Sequence, residues 1–365
     1  MQTINRRVLL KAGASAALTA GVACPLLAAT KARTKLGVHL PIWHASNVDP
    51  NHIWPTIFEE LAAYNIKHCM IMVYRFIDPI TGKISSKSQF TKNQAPSFKF
   101  LNTGLKYAVE HGFTTSLYPM LEIDNNKNIG AVWRGYLNFF GVTLENFFTQ
   151  YQRYLLSLTE IATSANADTL YIGSEAASLT HNNVAHPHWD QLIYDLRSAI
   201  KQSQHPSLKL SYAAHWESYA TIPFWRQLDD ISINAYFPLA TAIDARGQQK
   251  PTANQVKQIL KIKLQELNQF AQSQHRPLII SEFGLTPFDL TTTTPWSPSP
   301  SKINDPDERL TTFKALFEIL TTKPDNMSTL YLWHWHLPGC TGSPYNINAN
   351  TPLANLIKSY ISAPR

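Results

Sequence analysis

The feature that most constrains this chain is an alternation. Short runs rich in β-branched and aromatic residues recur along it, most of them followed by a stretch of helical periodicity. The strand-like runs stand at 36–41, 68–76, 114–123, 169–178, 209–216, 230–239, 277–284 and 329–336. Amphipathic segments fill 53–66, 101–111, 144–164, 188–204, 253–273 and 308–321. Strand, helix and strand in sequence imply parallel pairing, because a helical crossover returns the chain to the end where the previous strand began. Eight repeats predict an α/β fold, a (β/α)8 TIM barrel; a doubly wound open sheet is the alternative, but no Gly-x-Gly-x-x-Gly follows the first run. The segments after strands are long (77–100, 124–142, 179–187, 240–252 and 285–306), so long βα loops would build a cleft on one face. The Thr/Ser/Pro-rich part, 291–300, reads as an excursion after the seventh strand, a mobile segment or lid. Residues 33–365 are thus expected to form one barrel domain.

Residues 1–32 read as an export signal. Arg6-Arg7-Val-Leu-Leu-Lys11 precedes a weakly hydrophobic Ala/Gly/Leu run and resembles a twin-arginine signal, with an ordinary secretory signal or a retained anchor as alternatives. No strict Ala-x-Ala marks a cleavage site, and Gly21 stands where lipidation of Cys24 would want a large aliphatic residue. The expected location is periplasmic or secreted. With 44% hydrophobic and 16% charged residues the chain has the composition of a folded domain, and no apolar run beyond the leader could span a bilayer. Without Arg6, Arg7 and Lys11 the formal charge falls to roughly +4, and no Lys/Arg cluster interleaved with aromatics suggests a nucleic-acid partner. Cys69 opens one strand and Cys340 follows another, at opposite ends of a barrel, so no disulfide is expected.

Chemistry should sit where strands run out. Glu175, in Thr-Leu-Tyr-Ile-Gly-Ser-Glu, and Glu282, in Pro-Leu-Ile-Ile-Ser-Glu-Phe-Gly, end the fourth and seventh strand-like runs, so both would face one mouth of the barrel. Two converging carboxylates are the minimum apparatus for glycosidic hydrolysis: about 5–5.5 Å apart they retain configuration, and roughly 6.5–9.5 Å apart they admit water and invert it. Ordinary salt bridges in surface loops are the plainer reading. In Trp333-His334-Trp335-His336, alternation puts both tryptophans on one face, and Trp335, nearer the mouth, is the candidate floor of a sugar site; barrel packing is the alternative. Trp133 and Arg134 are candidates for a distal subsite. The histidines of the last strand, with His39 and His44, fall short of the three convergent ligands of a catalytic zinc, so no metal and no cofactor are expected. His181, His186 and His188 read as solvated, with a substrate role as the alternative, and Asp289, Asp307 and Glu308 as surface charge. No serine has a nucleophile-elbow context.

A family resemblance sharpens this. The block from Ser211-Tyr-Ala-Ala-His215-Trp216-Glu-Ser-Tyr219 through Phe224-Trp-Arg-Gln-Leu-Asp-Asp-Ile-Ser-Ile-Asn-Ala-Tyr236-Phe-Pro-Leu239 resembles the fifth-to-sixth strand region of glycoside hydrolase family 113, retaining β-mannanases on a clan A barrel. Gly173-Ser174-Glu175 is similar to the family's acid/base motif, Ser281-Glu282-Phe-Gly284 to its nucleophile motif, and Trp133-Arg134-Gly135 to a loop motif. The resemblance implies Glu175 as acid/base, Glu282 as nucleophile, Tyr236 as a hydroxyl donor holding Glu282 ionised, and Ser174, His215 and Trp216 in the sugar-binding shell. Three motifs depart from the pattern. Ser174 and His215 stand where relatives commonly carry asparagine, and Tyr118-Pro119-Met120 replaces a Lys-Pro-His-like motif. The departures fall on sugar contacts rather than on the carboxylates. Mannan is the implied substrate. A hydrolase of another β-glycan, such as a glucan or an amino-sugar polymer, and a carbohydrate-binding barrel without turnover remain the alternatives.

Overall fold

A computed structural model describes residues 33–43, 48–124, 132–240, 251–321, 326–337 and 343–363. The leader expected over 1–32, together with Cys24, His44 and Cys340, lies outside them. Among the described residues no helix is long and apolar enough to cross a membrane.

Eight parallel strands form a closed ring: β1 (Lys35–Pro41), β2 (His68–Ile77), β4 (Thr114–Ile123), β5 (Thr169–Ser174), β6 (Lys209–His215), β7 (Ile231–Asn234), β8 (Leu278–Phe283) and β9 (Met327–Leu332). Each pairs with its neighbour in the order given, and β9 pairs with β1 to close the barrel. A two-residue strand, β3 (Ile84–Ser85), pairs antiparallel with the upper end of β2 inside the first long loop. The helices are α1 (Pro50–Ala63), α2 (Phe98–Glu110), α3 (Gly141–Ser164), α4 (Ala177–His181), α5 (His186–Gln202), α6 (Ala253–Ser273), α7 (Pro306–Thr321) and α8 (Pro352–Ser362). β6 is followed only by short 3-10 turns at Tyr219–Thr221 and Trp225–Gln227, so the ring of helices is thinnest there.

Period-two alternation divides the core. On β2, Cys69, Ile71 and Val73 pack outward among the helices, whereas Met70, Met72, Tyr74 and Phe76 join Tyr118, Met120, Tyr171, Tyr236, Tyr331 and Trp333 inside the barrel. The interior is thus unusually rich in Tyr and Met, side chains that fill a taper and carry polar ends towards its mouth. Helix starts follow side-chain chemistry. Asp49 caps α1 by accepting from Asn51 N, Ser97 caps α2 through Phe100 N, and Thr252 with Gln255 forms a capping box on α6.

The excursion after β8 is tied down. Glu308, in the first turn of α7, accepts from the backbone of Leu290 and Thr292 and from the Thr292 hydroxyl at 2.6 Å. Tyr345 donates to Pro295 O at 2.7 Å. Glu308 is therefore a loop anchor and not surface charge; the sequence shows its place on the helix but not the loop that folds back over it.

Candidate active site

β5 ends in a turn that presents Glu175. Gly173 has φ of 155° and Glu175 has φ of 52°, a left-handed conformation that costs a non-glycine residue roughly 1–2 kcal/mol. Backbone bonds hold it there: Glu175 N donates to Ala213 O, Ala177 N donates to Glu175 O and Ala176 N donates to the Tyr212 hydroxyl, each at 2.9 Å. The expected strand 169–178 thus stops at Ser174, because the turn that aims the carboxylate also ends the pairing. Glu282 lies on β8, one residue before its end, and both glutamates are buried.

The carboxyls meet across an amide. Asn234, the last residue of β7, directs Nδ2 to Glu175 Oε1 and to Glu282 Oε1, each at 3.1 Å, so these two oxygens lie within twice that distance of one another. Its Oδ1 accepts from Ser281 Oγ at 2.8 Å, which fixes the amide's orientation. Two phenols attend Glu282: Tyr118 donates to Oε1 at 2.5 Å and Tyr236 to Oε2 at 2.9 Å. Ser174 Oγ lies 2.6 Å from the Tyr118 hydroxyl, beneath the pair. Glu175 instead meets a guanidinium: Arg134 Nη1 is 3.3 Å from Oε2, while Nη2 lies 3.7 Å from Glu122 and touches Met120 Sδ.

Burial first, and then the Glu175 carboxylate, push Glu282 up to about 8, against the pull of Tyr118, Tyr236 and Arg134. Two acids this close in a buried site hold one negative charge between them more readily than two. One proton and one charge shared by such a pair are the inventory that double displacement at a glycosidic carbon consumes.

Above the carboxylates opens a cleft of about 720 Å³. Its walls are aromatic: Trp43, Trp133, Trp216, Trp296, Trp333 and Tyr345 line it, with Arg134 and His215 between them. Trp133 meets His215 edge to face at 4.9 Å, and Trp216 stacks on Trp296 with centroids 6.2 Å apart. Of the residues singled out by sequence, Glu175, Glu282, Tyr236, His215, Trp216, Trp133 and Arg134 all line this cleft, and Ser174 underlies it.

Trp335 does not. It is fully buried between barrel and helices, packed at a tilt against Tyr64 with ring centroids 5.2 Å apart, and donates Nε1 to Glu60 Oε1 at 2.6 Å. The residue at the cleft is Trp333. β9 ends at Leu332, so alternation does not reach across the cis Trp333–His334 peptide, and the two tryptophans take opposite sides. His39, raised in connection with a metal, is buried, bonds Ser281 O through Nε2 at 2.6 Å and packs edge to face on Tyr118 and Trp333; burial pushes it down to about 3, so it is a neutral packing residue. His186 bonds Thr180 O at 3.1 Å and His188 stacks on Phe148, so neither is simply solvated.

Sequence reasoning missed Asn234 as a site residue and named Tyr118 only as part of a departure from a family motif, not as a partner of Glu282. A signal existed for both. Ile-Ser-Ile-Asn in β7 places a lone amide in an inward register otherwise meant for packing, and Tyr118 shares the inward face of β4 with Ser116 and Met120.

The model of glycoside hydrolase family 113 matches residues 56–342. The chain belongs to glycoside hydrolase family 113. Solved structures agree on the fold. A family 113 β-1,4-mannanase in complex superposes with a TM-score of 0.67 at 17% identity, covering 91% of this chain and 98% of that one. A family 113 β-mannanase from Alicyclobacillus acidocaldarius gives 0.65 at 17% identity, with 90% and 96% covered. An endo-1,4-β-D-mannanase from Thermotoga petrophila gives 0.54 at 11%, with 90% and 99% covered. No curated protein matches the sequence. As a family 113 member the chain is a glycoside hydrolase on a (β/α)8 barrel.

Proposed function

We propose that this family 113 barrel is a retaining hydrolase of β-linked mannan or manno-oligosaccharide, with Glu282 as nucleophile and Glu175 as acid/base. The observation that carries the reading is the Asn234 amide touching an oxygen of each carboxyl, since it keeps those two oxygens within twice 3.1 Å of one another, closer than the roughly 6.5–9.5 Å at which a water fits between base and sugar, and so suits direct attack. Glu282 receives two phenolic donors, which favour its ionised form once the shared proton sits on Glu175. Its oxygen attacks the anomeric carbon while the glycosidic bond breaks and the Glu175 proton passes to the leaving oxygen. Arg134 then stands beside a newly ionised Glu175. Water gives a proton back to Glu175 as its oxygen attacks the same carbon, and Glu282 leaves. The mannan preference rests on the family and on neighbours described as mannanases.

Export to the periplasm or beyond belongs to the same reading, on the strength of the Arg6-Arg7 leader. The test of function is hydrolysis of mannan, glucomannan, xylan, cellulose and chitin by the chain without residues 1–32, followed by trapping with a 2-deoxy-2-fluoro-β-mannosyl fluoride. Mannan cleavage together with a mass adduct on Glu282 is the expected result. Cleavage of a different polymer would overturn the mannan preference, and an adduct elsewhere would overturn the role of Glu282.

A further inference from the structure

A depression of about 210 Å³ opens where β1 and β2 begin and α8 ends, and its lining includes Arg33, Thr34, Lys35, Lys67, His68 and Tyr360. Glu175 and Glu282 stand where β5 and β8 run out, whereas this site is built on the first residues of two strands, so in a parallel barrel the two lie on opposite faces. Among the described residues the lining brings together three formal positive charges and no carboxylate. His68 registers that field: burial first, and then the Lys35 ammonium, push it down to about 4, so it stays neutral.

Positive charge at this end of a barrel has a plain use, since the helices point their negative C-termini there. That use is already filled. Arg33 serves α8: its Nη1 donates to Tyr360 O at 2.9 Å and to Ala363 O at 3.1 Å, and its guanidinium lies 4.7 Å over the Tyr360 ring. α1 closes through its own backbone, because Asn65, with φ of 59°, lets Asn65 N donate to Ala62 O at 2.9 Å and Ile66 N to Leu61 O at 3.0 Å. Lys35 and Lys67 cap neither helix, and among the described residues neither forms an ion pair; Lys67 Nζ rests 4.9 Å from the centre of the Phe113 ring. Thr34, between Arg33 and Lys35 in the chain, is 3% exposed, and its Oγ1 has no hydrogen-bond partner, a rare state for a buried hydroxyl. We infer that this depression is an oxyanion site that takes a phosphate group through the Lys35 and Lys67 ammoniums, beside the Arg33 guanidinium and the Thr34 hydroxyl. Lysine binds phosphate as a point charge, and a phosphate near its second ionisation answers two ammoniums where a carboxylate answers one. A free phosphate ion and a lipid headgroup present this chemistry alike. The inference stands apart from the glycosidase reading, because no residue of the cleft takes part.

The experiment is calorimetric titration of inorganic phosphate into the chain without residues 1–32, in chloride at fixed ionic strength, beside sedimentation with vesicles of phosphatidylcholine and phosphatidylglycerol. A variant carrying Lys35→Gln and Lys67→Gln removes both ammoniums; both lysines are exposed, so its melting temperature in chloride alone should match wild type. The expected result is saturable phosphate binding that weakens at least about tenfold in that variant. Vesicle sedimentation that the same variant abolishes would assign the phosphate to a lipid headgroup, and phosphate binding without it to a free ion. Heat that does not saturate, together with sedimentation that the lysines leave unchanged, would overturn the site, and so would equal phosphate affinity in wild type and variant.

Discussion

Two acids are buried at opposite ends of the barrel interior, and they differ in what surrounds them. Asp230, just before β7, accepts from Ser211 Oγ at 2.5 Å and is pushed up to about 7 by burial, against the Ser211 and Ser232 hydroxyls. Glu282, near the far end of β8, is pushed up to about 8, again by burial first. By perturbation alone they look alike. Asp230 shares its layer with the Tyr171 and Ser232 hydroxyls, which bond each other at 2.9 Å, and it does not line the aromatic cleft. Glu282 faces a second carboxyl, a bridging amide and an open aromatic cleft. A shifted acid is thus a structural device at one end and, on the function proposed above, a reagent at the other. Access to the cleft and a second carboxyl joined through one amide make the difference, not burial.

The sharpest way to break this comparison is to neutralise each acid. Glu282→Gln is expected to lower kcat on mannan at least about 1,000-fold, whereas Asp230→Asn should leave it within about twofold; equal losses would erase the distinction between the two ends. A smaller effect is expected from Asn234→Ala, which removes the donor shared by both carboxylates. kcat/KM should fall roughly 10- to 100-fold, and the acid limb of its pH profile should move to higher pH, because a donor to an ionised carboxylate lowers its pKa and removing that donor raises it. An acid limb that stays in place would reduce Asn234 to packing.

The smallest effect is on stability, and here the two acids should behave alike. Each keeps its proton in the fold beyond the pH at which the unfolded chain releases it. The native state therefore binds the extra proton, and stability declines as pH rises from the ordinary carboxyl range towards about 7 for Asp230 and about 8 for Glu282. Glu282→Gln and Asp230→Asn should both melt above wild type, with a gap that widens between pH 5 and pH 8 to roughly 2–4 °C. A gap independent of pH in either variant would mean that its acid does not titrate in this window.

The barrel was legible because short runs of β-branched and aromatic residues recur between stretches of helical periodicity, and the two glutamates because they end apolar runs. What escaped lies where regular pattern stops. Trp335 was assigned to the cleft by carrying alternation past Leu332, where the ladder ends and Trp333 takes the place instead. Tyr118 and Asn234 sit on strand positions that packing alone would explain, and only the convergence of β4, β5, β7 and β8 brings their polar ends to the carboxylates. The role of Glu308 was hidden for the same reason: the loop it holds lies close in sequence but folds back over α7 with no periodic signal.

That loop is clamped at its root by Glu308 and at Pro295 by Tyr345, while Trp296 at the neighbouring position projects half-exposed into the cleft wall. The part that faces the cleft is mounted like a tool bit in a fixed chuck. Substrate preference can accordingly drift by exchange of residues around Trp296 without disturbing the barrel that carries out the cut, which gives a protein engineer a place to change what is recognised while leaving the chemistry alone.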